Sequence, residues 1–186
     1  QRHARSAEKA GASALMAIPP ALTRCGPDQI VAYYRAILDA TALPIIVQDA
    51  SGYFGNSIPL QIQAQIFEAA PGRVMFKPEA QPIGPNLSSL RALVGQQAVI
   101  FEGTGGLALV ENHQRGIQGT MPGADLPWAL VALWRALENG DEQAVTQIHF
   151  PLCCLISLMT CLDAFLVVEK YLLVKQGIFS NLDIRG

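Results

Sequence analysis

Short runs of small and branched apolar residues recur along the chain: ALMAIPP at 14–20, LPIIVQDA at 43–50, RVMFKPE at 73–79, AVIFEGTGG at 98–106 and GIQGTMPG at 116–123. Between most of them, apolar residues fall at helical spacing, over Asp28–Thr41, Ile58–Ala70, Asn86–Val94, Leu107–Arg115 and Pro127–Asn139. The runs are continuously apolar rather than alternating, which predicts strands buried on both faces, the condition of parallel strands in βα units. Strand followed by helix, about five times, is the signature of an α/β fold.

Pro and Gly clusters close several of the runs: Pro19-Pro20, Ser51-Gly52, Gly103 with Gly105-Gly106, and Pro122-Gly123. A (β/α)8 barrel places its chemistry in loops at the C-terminal ends of strands, where glycine permits close backbone approach to a ligand. A doubly wound sheet has the same rhythm, but no GxGxxG follows the first run, and GTGG is too short and too late to be a dinucleotide fingerprint. A complete barrel takes about 250 residues, whereas five βα units and C-terminal helices fill these 186 residues. The start, QRHARSAEKAGASALM, reads as the tail of a helix leading straight into a strand. The expectation is therefore a partial barrel over 1–140 that lacks its first strands, with a helical segment over 141–186 packed on it.

Composition adds exclusions. Half-apolar content with 15% charged residues and a net charge of −2 describes a globular chain, and without a basic stripe nucleic acid is not an expected partner. Cys25, Cys153, Cys154 and Cys161 form no CxxC and have no histidine at metal-ligand spacing, so no metal is expected and the thiols read as buried and free in a reducing cytosol. No secretory leader pattern is present in the N-terminal residues. The apolar stretch Phe150–Val168 approaches the length of a membrane span. Pro151 opens it and Glu169 and Lys170 continue it without an aromatic belt, so it reads as one or two helices packed on a core or a subunit interface, with no membrane partner and a cytoplasmic location.

Within RVMFKPE, successive strand side chains point to opposite faces, so Lys77 and Glu79 share one face. A lysine in a low-dielectric pocket sheds its proton more readily, and a neutral amine attacks carbonyl carbon. A neighbouring carboxylate can take a proton beside the resulting imine. Spacing alone nevertheless favours an ordinary ion pair at a strand end. Elsewhere the pattern is plainer: Glu111, His113 and Arg115 read as a solvated helix face, His149 as a surface histidine, Trp128 and Trp134 as outer-helix packing, and Asp49 as a loop anchor.

Taken together, these segments resemble the dihydrodipicolinate synthase and N-acetylneuraminate lyase superfamily, over about Gly11 to Arg185. The resemblance implies a (β/α)8 TIM barrel represented by its strands four to eight, with RVMFKPEA as the sixth strand and Lys77 as the Schiff-base lysine. Gln48, in VQDA, stands where the synthases carry a proton-relaying tyrosine; their tyrosine after the fourth strand falls at or near Ala21, and Tyr53 lies near the place of their carboxylate-holding arginine. VQDA with Lys-x-Glu is instead similar to the branch that includes 2-keto-3-deoxyarabonate dehydratase.

That branch implies dehydration of a 2-keto-3-deoxy sugar acid through an imine to Lys77, with Glu79 as acid and base. Gln48 would bond a substrate hydroxyl, and Gly103, Thr104 and Met121 would line the pocket. No cofactor is implied; the partners are a small 2-keto acid and further copies of the chain, as a dimer or tetramer. Two other readings stay open: a dihydrodipicolinate synthase-like or pyruvate-dependent aldolase activity, and a truncated, non-catalytic half-barrel. By local pattern alone, Gln48 equally reads as a residue satisfying backbone at a strand end, Thr104 as turn chemistry and Met121 as core packing.

Overall fold

The computed structural model describes residues 1–20, 23, 25–55 and 57–184. In chain order the elements are α1 (Arg2–Lys9), β1 (Leu15–Ala17), α2 (Pro27–Leu38), β2 (Ile45–Gln48), α3 (Ser51–Phe54), α4 (Leu60–Ala69), β3 (Val74–Lys77) and α5 (Ile83–Val94). They continue with β4 (Phe101–Glu102), α6 (Leu109–His113), β5 (Gly119–Thr120), α7 (Pro127–Asn139), α8 (Glu142–Ile156) and α9 (Leu162–Lys175). Each of the five apolar runs contains a strand, and each strand but β4 is followed by a helix of ten or more residues, β2 after the short α3.

The chain divides into two compact units, Gln1–Phe101 with Ile117–Gly119, and Glu102–Gly116 with Thr120–Gly186. In the first, β1, β2 and β3 lie side by side and parallel, in chain order. A parallel bridge from Phe76 to Ile100 continues that order toward β4. Sequential order without a reversal is what a barrel requires, whereas a doubly wound sheet switches direction from its first strand. The fold is thus the expected α/β one, a partial (β/α) barrel.

The core explains why the runs are uninterrupted. Ile45, Val47, Val74, Phe76 and Ile100 are buried, with Ile62, Ile66, Phe67, Leu87 and Leu90 covering them from α4 and α5. Phe76 packs its ring 6.0 Å from that of Phe67. Arg73 donates through Nη2 to the carbonyls of Leu38 and Leu43 at 3.1 Å and to that of Thr41, which satisfies carbonyls released at the end of α2.

In the second unit, Phe150–Val168 resolves into α8 and α9, separated at residues 157–161. Pro151 lies inside α8 rather than opening a helix, so α8 forgoes one backbone hydrogen bond there. Among the described residues no helix is long and apolar enough to cross a membrane. The thiols are not buried as expected: Cys154 and Cys161 are exposed and Cys25 and Cys153 half-buried. Of the two helices only Leu152 of α8 and Leu173 of α9 are buried.

Phe76→Ala should lower unfolding stability by about 3–5 kcal/mol, read as a shift in the denaturant midpoint.

Candidate active site

The parallel ladder sets the site in the first unit. Gln48 and Lys77 are Cα partners, each the last residue of its strand, and the Asp49 N–H donates to the Lys77 carbonyl at 3.1 Å. The strand stops where it does because Pro78 follows. Pro78 lies one residue past the ladder, where no donor is lost. The chain then turns, and Glu79 comes back to Lys77 with Nζ and Oε1 3.1 Å apart.

Gln48 reaches the same carboxylate, Nε2 donating to Oε2 at 3.1 Å and to Oε1 at 3.3 Å. The Lys77 and Glu79 side chains are only 10% and 9% exposed, so each charge depends on these partners for the solvation it has lost. An ammonium, a carboxylate and an amide thus form one group. The amide holds Glu79 in a fixed orientation beside the Lys77 ammonium.

Gly103, Thr104 and Met121 belong to the second unit and are half-buried there. Their organiser is a residue that local pattern did not single out, Glu102, which is 1% exposed. Its Oε1 accepts from the Thr104 N–H at 2.6 Å and from the Thr104 hydroxyl, and its Oε2 accepts from the Thr120 hydroxyl at 2.6 Å. The Met121 N–H donates to its carbonyl at 2.9 Å. The signal available was an acidic residue inside an apolar run, directly before GTGG.

Asp49 is a loop anchor, as expected: its two oxygens accept from the N–H groups of Ser51 at 3.0 Å and Ile58 at 2.9 Å. Tyr34, buried, donates to the Ala17 carbonyl at 3.0 Å. Burial first, then Tyr33 and the Asp49 carboxylate, push its phenol pKa upward. His149 is not a surface histidine. Its Nε2 lies 3.2 Å from the carbonyls of Gly106 and Leu107 and from Cys153 Sγ, because α8 packs on the loop after β4. Burial, and then Cys154, raise the Cys153 thiol pKa. Trp134 stacks edge-on with His113, which bonds Glu138 at 2.8 Å; Trp128 is exposed. Arg115 pairs with Glu111 at 2.8 Å, the arrangement of a solvated helix face.

Ala21 and the Tyr53 side chain lie outside the described residues. Among the described residues no cluster of three His, Cys, Asp or Glu side chains could hold a metal ion. A cavity of about 490 Å³ in the first unit is walled by Pro19, Pro20, Cys25, Pro27, Ile58 and Pro59 among others. Neither Lys77 nor Glu79 lines it.

Residues 1–183 match the Dihydrodipicolinate synthetase family. L-2-keto-3-deoxyarabonate dehydratase of Azospirillum brasilense is 29% identical over 153 residues, which are 78% of this chain and 49% of that protein. The crystal structure of dihydrodipicolinate synthase from Rhodopseudomonas palustris superposes with a TM-score of 0.86 at 28% identity, covering 99% of this chain and 63% of that one. A sialic acid aldolase of Ruminococcus gnavus shares the fold, with a TM-score of 0.81 at 20% identity over 95% of this chain and 59% of its own. The chain spans about half the length of the dehydratase it matches.

Asp49→Ala should cost about 1–3 kcal/mol through two buried N–H groups left without an acceptor, measured by urea unfolding.

Proposed function

The chain belongs to the Dihydrodipicolinate synthetase family, and from that premise we propose that it is a class I, Schiff-base lyase of 2-keto acids. The reaction proposed is dehydration of a 2-keto-3-deoxy sugar acid, with Lys77 as the imine-forming residue and Glu79 as its proton handler. The observation that carries the reading is the buried Lys77–Glu79 pair, 3.1 Å apart and completed by Gln48. An ion pair serving stability alone explains the contact. It does not explain why a solvation-starved lysine ends an apolar strand where barrel enzymes place their chemistry.

Lys77 first gives a proton to Glu79 and its amine adds to the C2 carbonyl carbon. The carbinolamine oxygen leaves as water, taking the proton back, and a protonated imine forms. Glu79 then removes a C3 proton, and the C–H electron pair moves to the imine nitrogen as an enamine. Those electrons return to expel the C4 hydroxyl, which takes the proton from Glu79 and departs as water, leaving a C3–C4 double bond. Hydrolysis of the imine releases product and lysine.

Gln48 is proposed to keep the carboxylate aimed throughout and to bond a substrate hydroxyl, with the amide nitrogen contact to Glu79 supporting the first role. Gly103, Thr104 and Met121 are proposed to line the pocket. The dehydratase relative supports this branch over the synthase, and Gln48 supports it further, since an amide does not relay protons as a phenol does. Self-association belongs to the same reading, with exposed Phe150, Leu158 and Val167 as surface for a second copy to cover.

Borohydride reduction in the presence of pyruvate should leave a stable adduct on Lys77, found by mass spectrometry and absent from Lys77→Ala. A folded sample without adduct would overturn the proposal and favour a non-catalytic half-barrel. Glu79→Gln should still trap the imine but turn substrate over about 100-fold or more slowly; unchanged turnover would remove Glu79 from the acid and base role.

A further inference from the structure

We infer that Asp125 and Glu169 hold a calcium ion over Gly123, between the loop that leads into α7 and the helix α9. Every residue involved lies in the second unit, so the site is independent of Lys77 and of imine chemistry. Its starting point is a glycine whose backbone does not call for one. Gly123 is not among the glycines with positive φ, so what excludes a side chain is the space around it. A Cβ there would lie 2.7 Å from Glu169 Oε1, 2.9 Å from Asp125 Oδ1 and 3.3 Å from Phe165 Cζ. Two carboxylate oxygens converge on one small volume, and the glycine keeps it clear.

The two acids are held there in different ways. The Ala124 N–H donates to Glu169 Oε1 at 2.8 Å, which fixes that oxygen beside the loop. Gln176 donates through Nε2 to the Asp125 carbonyl at 2.6 Å, so the backbone of the loop is tied to the end of α9 as well. The Asp125 side chain has no such support. Asp125 is only 7% exposed, yet among the described residues its carboxylate accepts no hydrogen bond, and neither it nor Glu169 has an ion-pair partner. Lys170, beside Glu169 in the chain, is engaged elsewhere: its Nζ donates to the Asp183 carbonyl at 2.5 Å and lies 4.9 Å from the centroid of the Phe179 ring.

A buried carboxylate with neither donor nor counter-ion is costly, and a second one aimed at the same space adds repulsion. A bound cation removes both costs. Oxygen ligands alone select a hard ion rather than zinc or copper, which favour nitrogen and sulfur. Calcium takes carboxylates through one or both oxygens and completes a flexible shell of about six to eight with carbonyl oxygen and water. Magnesium demands a near-ideal octahedron and gives up water reluctantly, so a pair of carboxylates on a loop and a helix suits it less. Two acidic ligands place the affinity in the weak class, at about 0.1–1 mM. The ion would clip the loop at 123–125 to α9.

The test is thermal unfolding of the whole chain, first in EDTA and then in calcium chloride up to about 10 mM, with magnesium chloride and ionic-strength-matched sodium chloride as comparisons. Calcium should raise the midpoint by several degrees and saturably, half of the rise being reached at about 0.1–1 mM. Asp125→Asn, which keeps the shape and loses the charge, should raise the calcium needed by about tenfold or more. No rise, a rise matched by magnesium or sodium, or a rise that Asp125→Asn keeps in full overturns the inference. So does a parent indifferent to calcium beside an Asp125→Asn variant of equal or greater stability, the result expected if a proton and not a metal neutralises the pair.

If Asp125→Asn does not fold, Glu169→Gln takes its place, since its amide oxygen still accepts from the Ala124 N–H; the same loss is expected, and an unchanged calcium response counts against the site. Calorimetric titration of the parent with calcium chloride needs no variant. One saturable site per chain supports the inference, and the absence of saturable heat overturns it.

Discussion

The parallel pairing of Ile45–Gln48 with Val74–Lys77 governs what the first unit can do. Side chains on a strand alternate, so a slip of one residue would turn Lys77 away from Gln48 and push the fully buried Phe76 out of the core. Packing against Phe67 and the α4–α5 layer holds the register, and the register delivers an ammonium, a carboxylate and an amide to one place. Site geometry is a by-product of core packing here, and the two cannot be altered independently.

Glu79 and Glu102 illustrate how environment assigns roles. Glu79 meets a cation and an amide that donates to it. The donors on Glu102 include a backbone N–H and two hydroxyls. The first carboxylate is set against a charge, and the second is tied into the loop that follows it. Residue type is the same in both, and only the donors differ.

Much of the fold was legible because it is written locally. The apolar runs around Ile45 and Phe76 predicted buried parallel strands, and they are. The spacing of Lys77 and Glu79 placed both on one face, and they meet. What the pattern could not show depends on partners distant in the chain. Gln48 looked free to bond substrate, but Glu79, 31 residues on, occupies its amide nitrogen. His149 looked solvated, but residues 42 and 43 positions earlier lie against it. The thiols of Cys154 and Cys161 looked buried because an apolar helix ordinarily has two covered faces.

The glycine-rich loop after β4 carries a consequence for how such a site can diversify. Gly106 has φ +107°, and a Cβ there would lie 2.5 Å from Leu130 Cδ2 and 2.8 Å from Leu152 Cδ2, both in buried side chains. A side chain at that position is excluded twice over, by backbone conformation and by space. Mutational drift in this loop is therefore channelled: Gly106 is closed to change, and its neighbour Gly105, at φ +69°, is strained by any side chain. Anyone seeking to redirect the chain toward another ligand has to leave both positions as glycine.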